Sequence, residues 1–199
     1  APAPQADERM AVDIARRHYG LAVTARELVS ERDRNFHLAS DDGRAFVLKI
    51  ANAAEDRAWL EAQNALLDRV APLGSCPRVV PTVAGEAIAL GPGGHLVRLL
   101  TWLPGEPLAS IDDPPAALFE DLGRRLAQLD SELATFDHPG FHRAFHWDLA
   151  QGFAVVREYS RLIADDGVRG LVERPTELQF DNRQRRALGA AVPGGDPGA

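Results

Sequence analysis

The sequence predicts an α+β fold, in which a small antiparallel sheet of five strands with one helix precedes a helical lobe. Short apolar runs separated by turn signals predict strands between residues 26 and 101. A helical pattern at residues 53–71 interrupts these runs after the third strand. From residue 116 onward the periodicity is helical only. The chain is therefore expected to change from sheet to helix along its length.

The first elements are a short helix and three strands. Helical spacing covers residues 7–19 and stops at Gly20. Strands are predicted at residues 26–30, 35–39 and 45–50. An Asp-Asp-Gly turn at residues 41–43 joins the last two strands as a hairpin.

The next elements complete the sheet. Residues 53–71 form the clearest helix, which Pro72 ends. Two strands are predicted on either side of Gly85, and a last strand follows a Gly-Pro-Gly-Gly turn. These three strands are predicted at residues 78–83, 86–90 and 95–101.

The second lobe is expected to be helical. Residues 116–136 predict a long helix with leucines along one face, and residues 141–149 and 153–164 predict two more. Residues 174–199 are too poor in large apolar side chains to fold, so we expect a disordered tail.

Composition limits the class of protein. No stretch approaches the roughly 20 apolar residues of a membrane helix, and 45% hydrophobic with 26% charged residues is typical of a soluble chain. The net charge of -7 and scattered basic residues argue against nucleic-acid binding. Cys76 is the single cysteine, so no internal disulfide can form, and the cytoplasm is the expected compartment. Small molecules are the expected partners.

Lys49 is the strongest candidate for a functional residue. It lies in the apolar run at residues 45–50, where an unpaired buried charge is costly and must reach an anion or water. Phosphate is one such anion. Lysine also closes edge strands without any chemical role, so the residue alone does not decide.

The order of features around Lys49 resembles the aminoglycoside phosphotransferase family of small-molecule kinases, whose fold is protein-kinase-like. That order is a hairpin ending in Leu-Lys-Ile, a helix, a strand pair, and Leu-Leu-Thr-Trp-Leu-Pro-Gly-Glu-Pro-Leu at residues 99–108. Within the family the chain looks most like hydroxylysine kinases and the kinase-like domain fused to some class III aminotransferases. Further matching segments lie at residues 33–35, 61–64, 126–130, 136–139 and 147–149.

The resemblance implies a domain organisation and an ATP site. Residues 1–10 would be a flexible start, residues 11–103 an ATP-binding lobe, residues 104–173 a partial helical lobe and residues 174–199 the tail. Lys49 would hold the α- and β-phosphates, and Arg34 and Asn35 would lie at the loop covering the nucleotide. The backbone of Thr101 and Leu103, at the hinge between the lobes, would bind adenine.

The partner of Lys49 stays open at this point. Kinases pair this lysine with a helix glutamate, and the resemblance favours Glu61. A helical wheel places Glu61 away from the apolar stripe, and places Glu55 and Gln63 closer to it. Glu61, Glu55 or neither could therefore pair with Lys49.

The segment that would transfer the phosphoryl group is not recognisable. Kinases of this type need a catalytic-loop Asp that orients the acceptor hydroxyl, an Asn five residues later that binds the metal, and a second, metal-binding Asp. The nearest match, Asp148, is followed by Phe153 at the Asn position, so Asp148 is expected to be structural and no metal ligand is assigned.

The expected function is therefore an ATP-dependent kinase of a small-molecule hydroxyl, such as an amino alcohol or a hydroxylated amino acid. As this chain it is expected to be inactive, with a truncation or frame change near residue 174. Its uncovered helical lobe would then contact a partner domain or a second copy. The alternative is a non-catalytic nucleotide-binding or interaction module, such as the N-terminal part of a class III aminotransferase fusion.

Overall fold

The computed structural model describes residues 3–143, 148 and 151–174. The chain divides into two compact units after residue 142. The first unit contains the sheet and three helices, and the second contains the helical residues that follow. The predicted boundary between lobes, at residues 103 and 104, stays a prediction.

The first unit is built on a six-stranded antiparallel sheet. Its strands are β1 Val23–Leu28, β2 Arg34–Ser40, β3 Ala45–Ile50, β4 Val79–Val80, β5 Ala89–Leu90 and β6 Leu96–Thr101. Their order is β1-β2-β3-β6-β4, and β5 also pairs with β6. The α+β class and the small antiparallel sheet are confirmed. Each of the six predicted segments contributes one strand, so the predicted total of five was one too few.

Three of the predicted strands needed correction. β1 begins and ends earlier than predicted, because its pairing with β2 runs from Val23 to Leu28 and Val29 beyond it is fully exposed. The two strands predicted around Gly85 shrink to two residues each, and both pair with β6. The Thr82 hydroxyl accepts hydrogen bonds from the backbone N–H groups of Ala84 and Glu86, so this segment closes as a turn instead of extending the strands.

One face of the sheet packs against helix α1 (Glu8–Tyr19) to form the main core. The Asp7 side chain caps the start of α1, and Gly20 ends it in a left-handed conformation with φ 65°, as the sequence predicted. The core contains Ala11, Ile14, Ala15, Tyr19, Phe36, Leu38, Phe46, Leu48, Ile50, Ala89, Val97 and Leu99. Pro4 is buried too, and its carbonyl accepts a hydrogen bond from Arg34.

Helix α2 (Arg57–Val70) is attached to the sheet by residues that flank and include its first turns. A second, smaller core joins Leu60 of α2 to Ala51 and Ile88. The helix starts four residues later than predicted, because Asp56 caps it and the Asn52 side chain turns the preceding backbone by accepting from the N–H of Ala54.

The remaining described residues are helical or form turns. Helix α3 (Ala116–Leu133) ends three residues earlier than predicted and buries none of its side chains. The predicted helix at residues 141–149 is wrong where it can be compared, since Pro139–Phe141 form a 3-10 turn and residues 142–143 are not helical. The rest of that segment, except residue 148, lies outside the described residues.

The second unit contains helix α4 (Gly152–Tyr159), followed by a 3-10 turn, Ser160–Leu162, and by helical residues 166–174. This agrees in part with the helix predicted at residues 153–164. The predicted disordered tail lies outside the described residues from residue 175 onward. In the part of the chain that is described, no helix is long and apolar enough to cross a membrane.

The turn Pro139–Phe141 packs closely on α2, and this contact can be tested at Gly140. A Cβ atom added at Gly140 would lie 2.5 Å from the Ala58 carbonyl oxygen and 2.9 Å from the Ala62 Cβ. Because a backbone atom must then move, we expect Gly140→Ala to lower the free energy of unfolding by about 1–3 kcal/mol. Urea unfolding followed by circular dichroism measures this change.

The matched control is Gly123→Ala, within α3, where an added Cβ meets no atom within 4 Å. Alanine favours helix, so this variant should be more stable by about 0.5–1 kcal/mol. If Gly140→Ala were as stable as the wild type, the close packing of the turn on α2 would be refuted.

Candidate functional site

The face of the sheet opposite α1 carries a row of polar side chains. The register pairs Asn35 of β2 with Lys49 of β3, and Lys49 with Arg98 of β6. Directly paired residues of neighbouring strands point to the same face. Three consecutive strands thus bring three polar side chains side by side, across the middle of the sheet.

Lys49 is half-buried and bound to a neutral partner. Its Nζ donates a hydrogen bond to Asn35 Oδ1 at 3.1 Å, and Asn35 Nδ2 donates to the Ser30 hydroxyl at 3.1 Å. Burial lowers the pKa of Lys49 below its ordinary value of 10.5, the nearby Asp33 opposes this shift, and the charge of Arg98 adds to it. An ammonium has three N–H donors, so Lys49 can donate further hydrogen bonds to an anion.

The loop before β2, residues 29–33, is fastened to the connection between β3 and α2. Asp33 Oδ1 accepts a hydrogen bond from the backbone N–H of Asn52 at 3.0 Å. Asn52 Nδ2 in turn donates to the Arg32 carbonyl at 3.1 Å, and Arg32 forms an ion pair with Glu55 at 3.6 Å. These contacts hold the Asp33 carboxylate near Lys49 and Arg98, whose pKa values it raises.

Arg98 is a buried cation that the sequence analysis missed. Its Nη1 donates to Asn64 Oδ1 at 2.8 Å, and its Nη2 donates to Gln63 Oε1 at 2.7 Å. Burial lowers the pKa of Arg98, while Asp33 and then Glu55 oppose that shift. The sequence signal that pointed to Lys49, a single charged residue in an otherwise apolar strand, is also present in β6, where the charged residue is Arg98.

The end of β6 shows how the predicted hinge is held. Thr101 donates its backbone N–H to the Arg78 carbonyl at 2.9 Å, and its hydroxyl accepts from the Arg78 N–H. The Trp102 N–H donates to the Ala45 carbonyl, and the Trp102 ring meets the His37 ring edge to face, 4.6 Å between centroids. Among the described residues no group accepts the N–H of the exposed Leu103.

Two of the predicted site residues, Arg34 and Glu61, do not contact Lys49 and have other partners. Arg34 begins β2, so its side chain alternates to the other face, where it donates to Glu27 Oε1 at 2.6 Å. Glu61 lies on the exposed side of α2 and pairs with Arg57 at 3.7 Å. Across the described ranges of the chain, Lys49 forms no ion pair with Glu61 or Glu55.

One further signal for Lys49 lies in the composition. It is the sole lysine of the chain, since 21 of the 22 basic residues are arginines. An ammonium is a compact point charge, whereas a guanidinium is a wide planar fork, so the two are not interchangeable in a confined site.

Known proteins resemble this chain in both sequence and fold. A family model described as "Phosphotransferase enzyme family" matches residues 24–194. The hydroxylysine kinase of Danio rerio is 32% identical over 185 residues, which cover 85% of this chain and 52% of that protein. The hydroxylysine kinase of Bos taurus is 30% identical over 200 residues, covering 89% and 53%. The chain spans about half the length of the curated relatives it matches.

Solved structures show the same fold. An amicoumacin kinase in complex with AMP-PNP, Ca²⁺ and Ami matches with a TM-score of 0.68 and 18% identity, over 90% of this chain and 54% of that one. The resemblance and the protein-kinase-like fold predicted from the sequence are confirmed.

The burial of Lys49 predicts a pH-dependent stability. A pKa below 10.5 in the folded state means that the folded chain releases this proton at a lower pH than the unfolded chain. Stability from this group therefore rises as the pH increases through the folded pKa towards 10.5. We expect the stability of the wild type relative to Lys49→Met to increase over that interval, measured by urea unfolding of both proteins. Parallel curves would contradict the burial of the ammonium.

Proposed function

This chain belongs to the phosphotransferase enzyme family, and we propose that it forms the nucleotide-binding lobe of an ATP-dependent kinase acting on a hydroxyl group of a small molecule. The observation that carries the proposal is Lys49, a half-buried cation on the face of the sheet opposite α1, with Asn35 as its hydrogen-bond partner. Because the direct hydrogen-bond partner of this half-buried ammonium is a neutral amide, its remaining N–H donors favour an anion, and phosphate oxygens match them.

Each end of the site has a role in this proposal. Lys49 would bind oxygens of the α- and β-phosphates, and Asn35 orients the ammonium. The Leu103 N–H would bind the adenine edge, beside the ring pair of Trp102 and His37. ATP, when bound, supplies the phosphoryl group. Arg34 and Glu61 have other partners and are left out of the nucleotide contacts.

The metal ligands are not assigned to these residues. The described residues contain no group of three or more His, Cys, Asp or Glu side chains that could hold a metal ion. No ligand for Mg²⁺ is therefore assigned among the described residues, and no step is derived through the metal. Because the chain spans about half of its curated relatives, phosphoryl transfer is proposed for the whole protein and nucleotide binding for this lobe.

The class of acceptor is proposed from the relatives. The curated relatives are named hydroxylysine kinases, and a structure described as an aminopropanol kinase matches in fold with a TM-score of 0.54. Both names describe an acceptor that carries an amine and a hydroxyl. We therefore propose an amino alcohol or a hydroxylated amino acid as the acceptor.

Replacing Lys49 tests nucleotide binding. We expect Lys49→Met to weaken ATP binding by about 10- to 100-fold, because charge-assisted hydrogen bonds to phosphate are lost. Isothermal titration of the 199-residue chain with ATP measures the dissociation constant.

The matched control is Arg9→Met, which removes an exposed cation of α1. It should bind ATP as the wild type does. Equal affinity in Lys49→Met and the wild type would refute the proposed role of Lys49, and no binding by the folded wild type would refute the proposed function of this lobe.

A further inference from the structure

Helix α2 reaches the functional face of the sheet through amides and not through a carboxylate. Gln63 and Asn64 both accept hydrogen bonds from Arg98, and the Leu60 carbonyl accepts a weaker one at 3.4 Å. The two acidic residues of the helix, Glu61 and Asp68, are exposed. The helix is therefore anchored to β6, one strand away from Lys49.

Arg98 is also the direct cross-strand neighbour of Lys49. Their pairing in the β3–β6 ladder places the two Cα atoms about 5.5 Å apart or less. Arg98 is 3% exposed, so its charge is poorly screened by water. Two cations thus share one buried region of the sheet face.

The carboxylate that both cations share belongs to the loop. Asp33 favours the charged form of Lys49 and of Arg98, and it is held by the backbone N–H of Asn52. Glu55 and, more weakly, Tyr19 also raise the pKa of Arg98. Asp33 is thus the carboxylate placed to balance Lys49.

We propose that Arg98 is a positioning residue for Lys49: it anchors α2 to the sheet through Gln63 and Asn64, and its charge, shared with Lys49 around Asp33, leaves Lys49 available to an anionic ligand. The identity of that ligand as ATP rests on the proposed function. The electrostatic effect of Arg98 and Asp33 on Lys49 does not depend on which ligand binds. That effect and the proposed ATP binding can therefore be tested separately.

Because Lys49 is the sole lysine, its ionisation can be read directly. The rate of acylation by a neutral amine-directed reagent, at fixed pH, reports the fraction of neutral amine. Mass spectrometry of the peptide containing Lys49 measures this rate, and acylation of the N-terminal amine in the same sample is the internal control.

Three substitutions separate charge from structure. Arg98→Gln removes the charge and keeps an amide facing α2, so the pKa of Lys49 should rise and its acylation should slow by about threefold or more. Arg98→Lys keeps the charge and loses the fork, so acylation should stay near the wild-type rate while backbone hydrogen exchange in α2 becomes faster. Asp33→Asn keeps the acceptor for Asn52 and should speed acylation, the opposite direction.

ATP binding gives the second readout. We expect Arg98→Gln to weaken ATP binding by about tenfold, and Arg98→Lys to weaken it less, because a buried charge close to the phosphates is kept. A merely structural arginine would make both variants alike.

The proposal is overturned if Arg98→Gln and Arg98→Lys acylate at the same rate, or if Asp33→Asn leaves the rate unchanged. The Asp33→Asn arm keeps the test decisive even if an Arg98 variant fails to fold, since Asp33 lies in a loop. Absence of ATP binding by the wild type, with the acylation pattern as expected, would instead refute the proposed function and leave the positioning role standing.

Discussion

The register of β3 between β2 and β6 is the constraint on which the rest of this lobe depends. It places Asn35, Lys49 and Arg98 in one row, and it places Leu48 and Ile50 on the opposite face against α1. A slip of one residue would turn Lys49 into the apolar core and expose its two neighbours. Since burying one such side chain contributes about 1.5–3 kcal/mol, the core fixes the position of the polar row.

The two faces of the sheet therefore have different tasks. The α1 face is apolar and supplies stability, as the fully buried Phe36, Leu38 and Leu99 show. The other face holds charges that are expensive to bury, and each has a polar neighbour from an adjacent element. Asn35 accepts a hydrogen bond from Lys49, and the side-chain amides of α2 accept hydrogen bonds from Arg98. Stability is thus built on one face, which allows the other to keep a cation available.

The sequence was sufficient for local features and insufficient for distant pairings. The hairpin of β2 and β3, the limits of α1 and the position of Lys49 followed from alternation, turn residues and a helix stop. The pairing of β3 with β6 skips a helix and two short strands, and no local pattern specifies it. Without that pairing, Arg98 could not be recognised as the neighbour of Lys49.

The location of the carboxylate matters for how such a site can respond. Where a helix supplies the partner of the lysine, movement of the helix breaks the ion pair. Here the α2 carboxylate Glu61 points to Arg57, and Asp33 comes from the loop at residues 29–33. That loop is bonded to the residues before α2 through Asn52 and Glu55. A displacement of the loop or of the start of α2 would therefore change the distance between Asp33 and Lys49. The electrostatic field at Lys49 therefore depends on Asp33 in this loop and on the contacts that join the loop to the residues before α2.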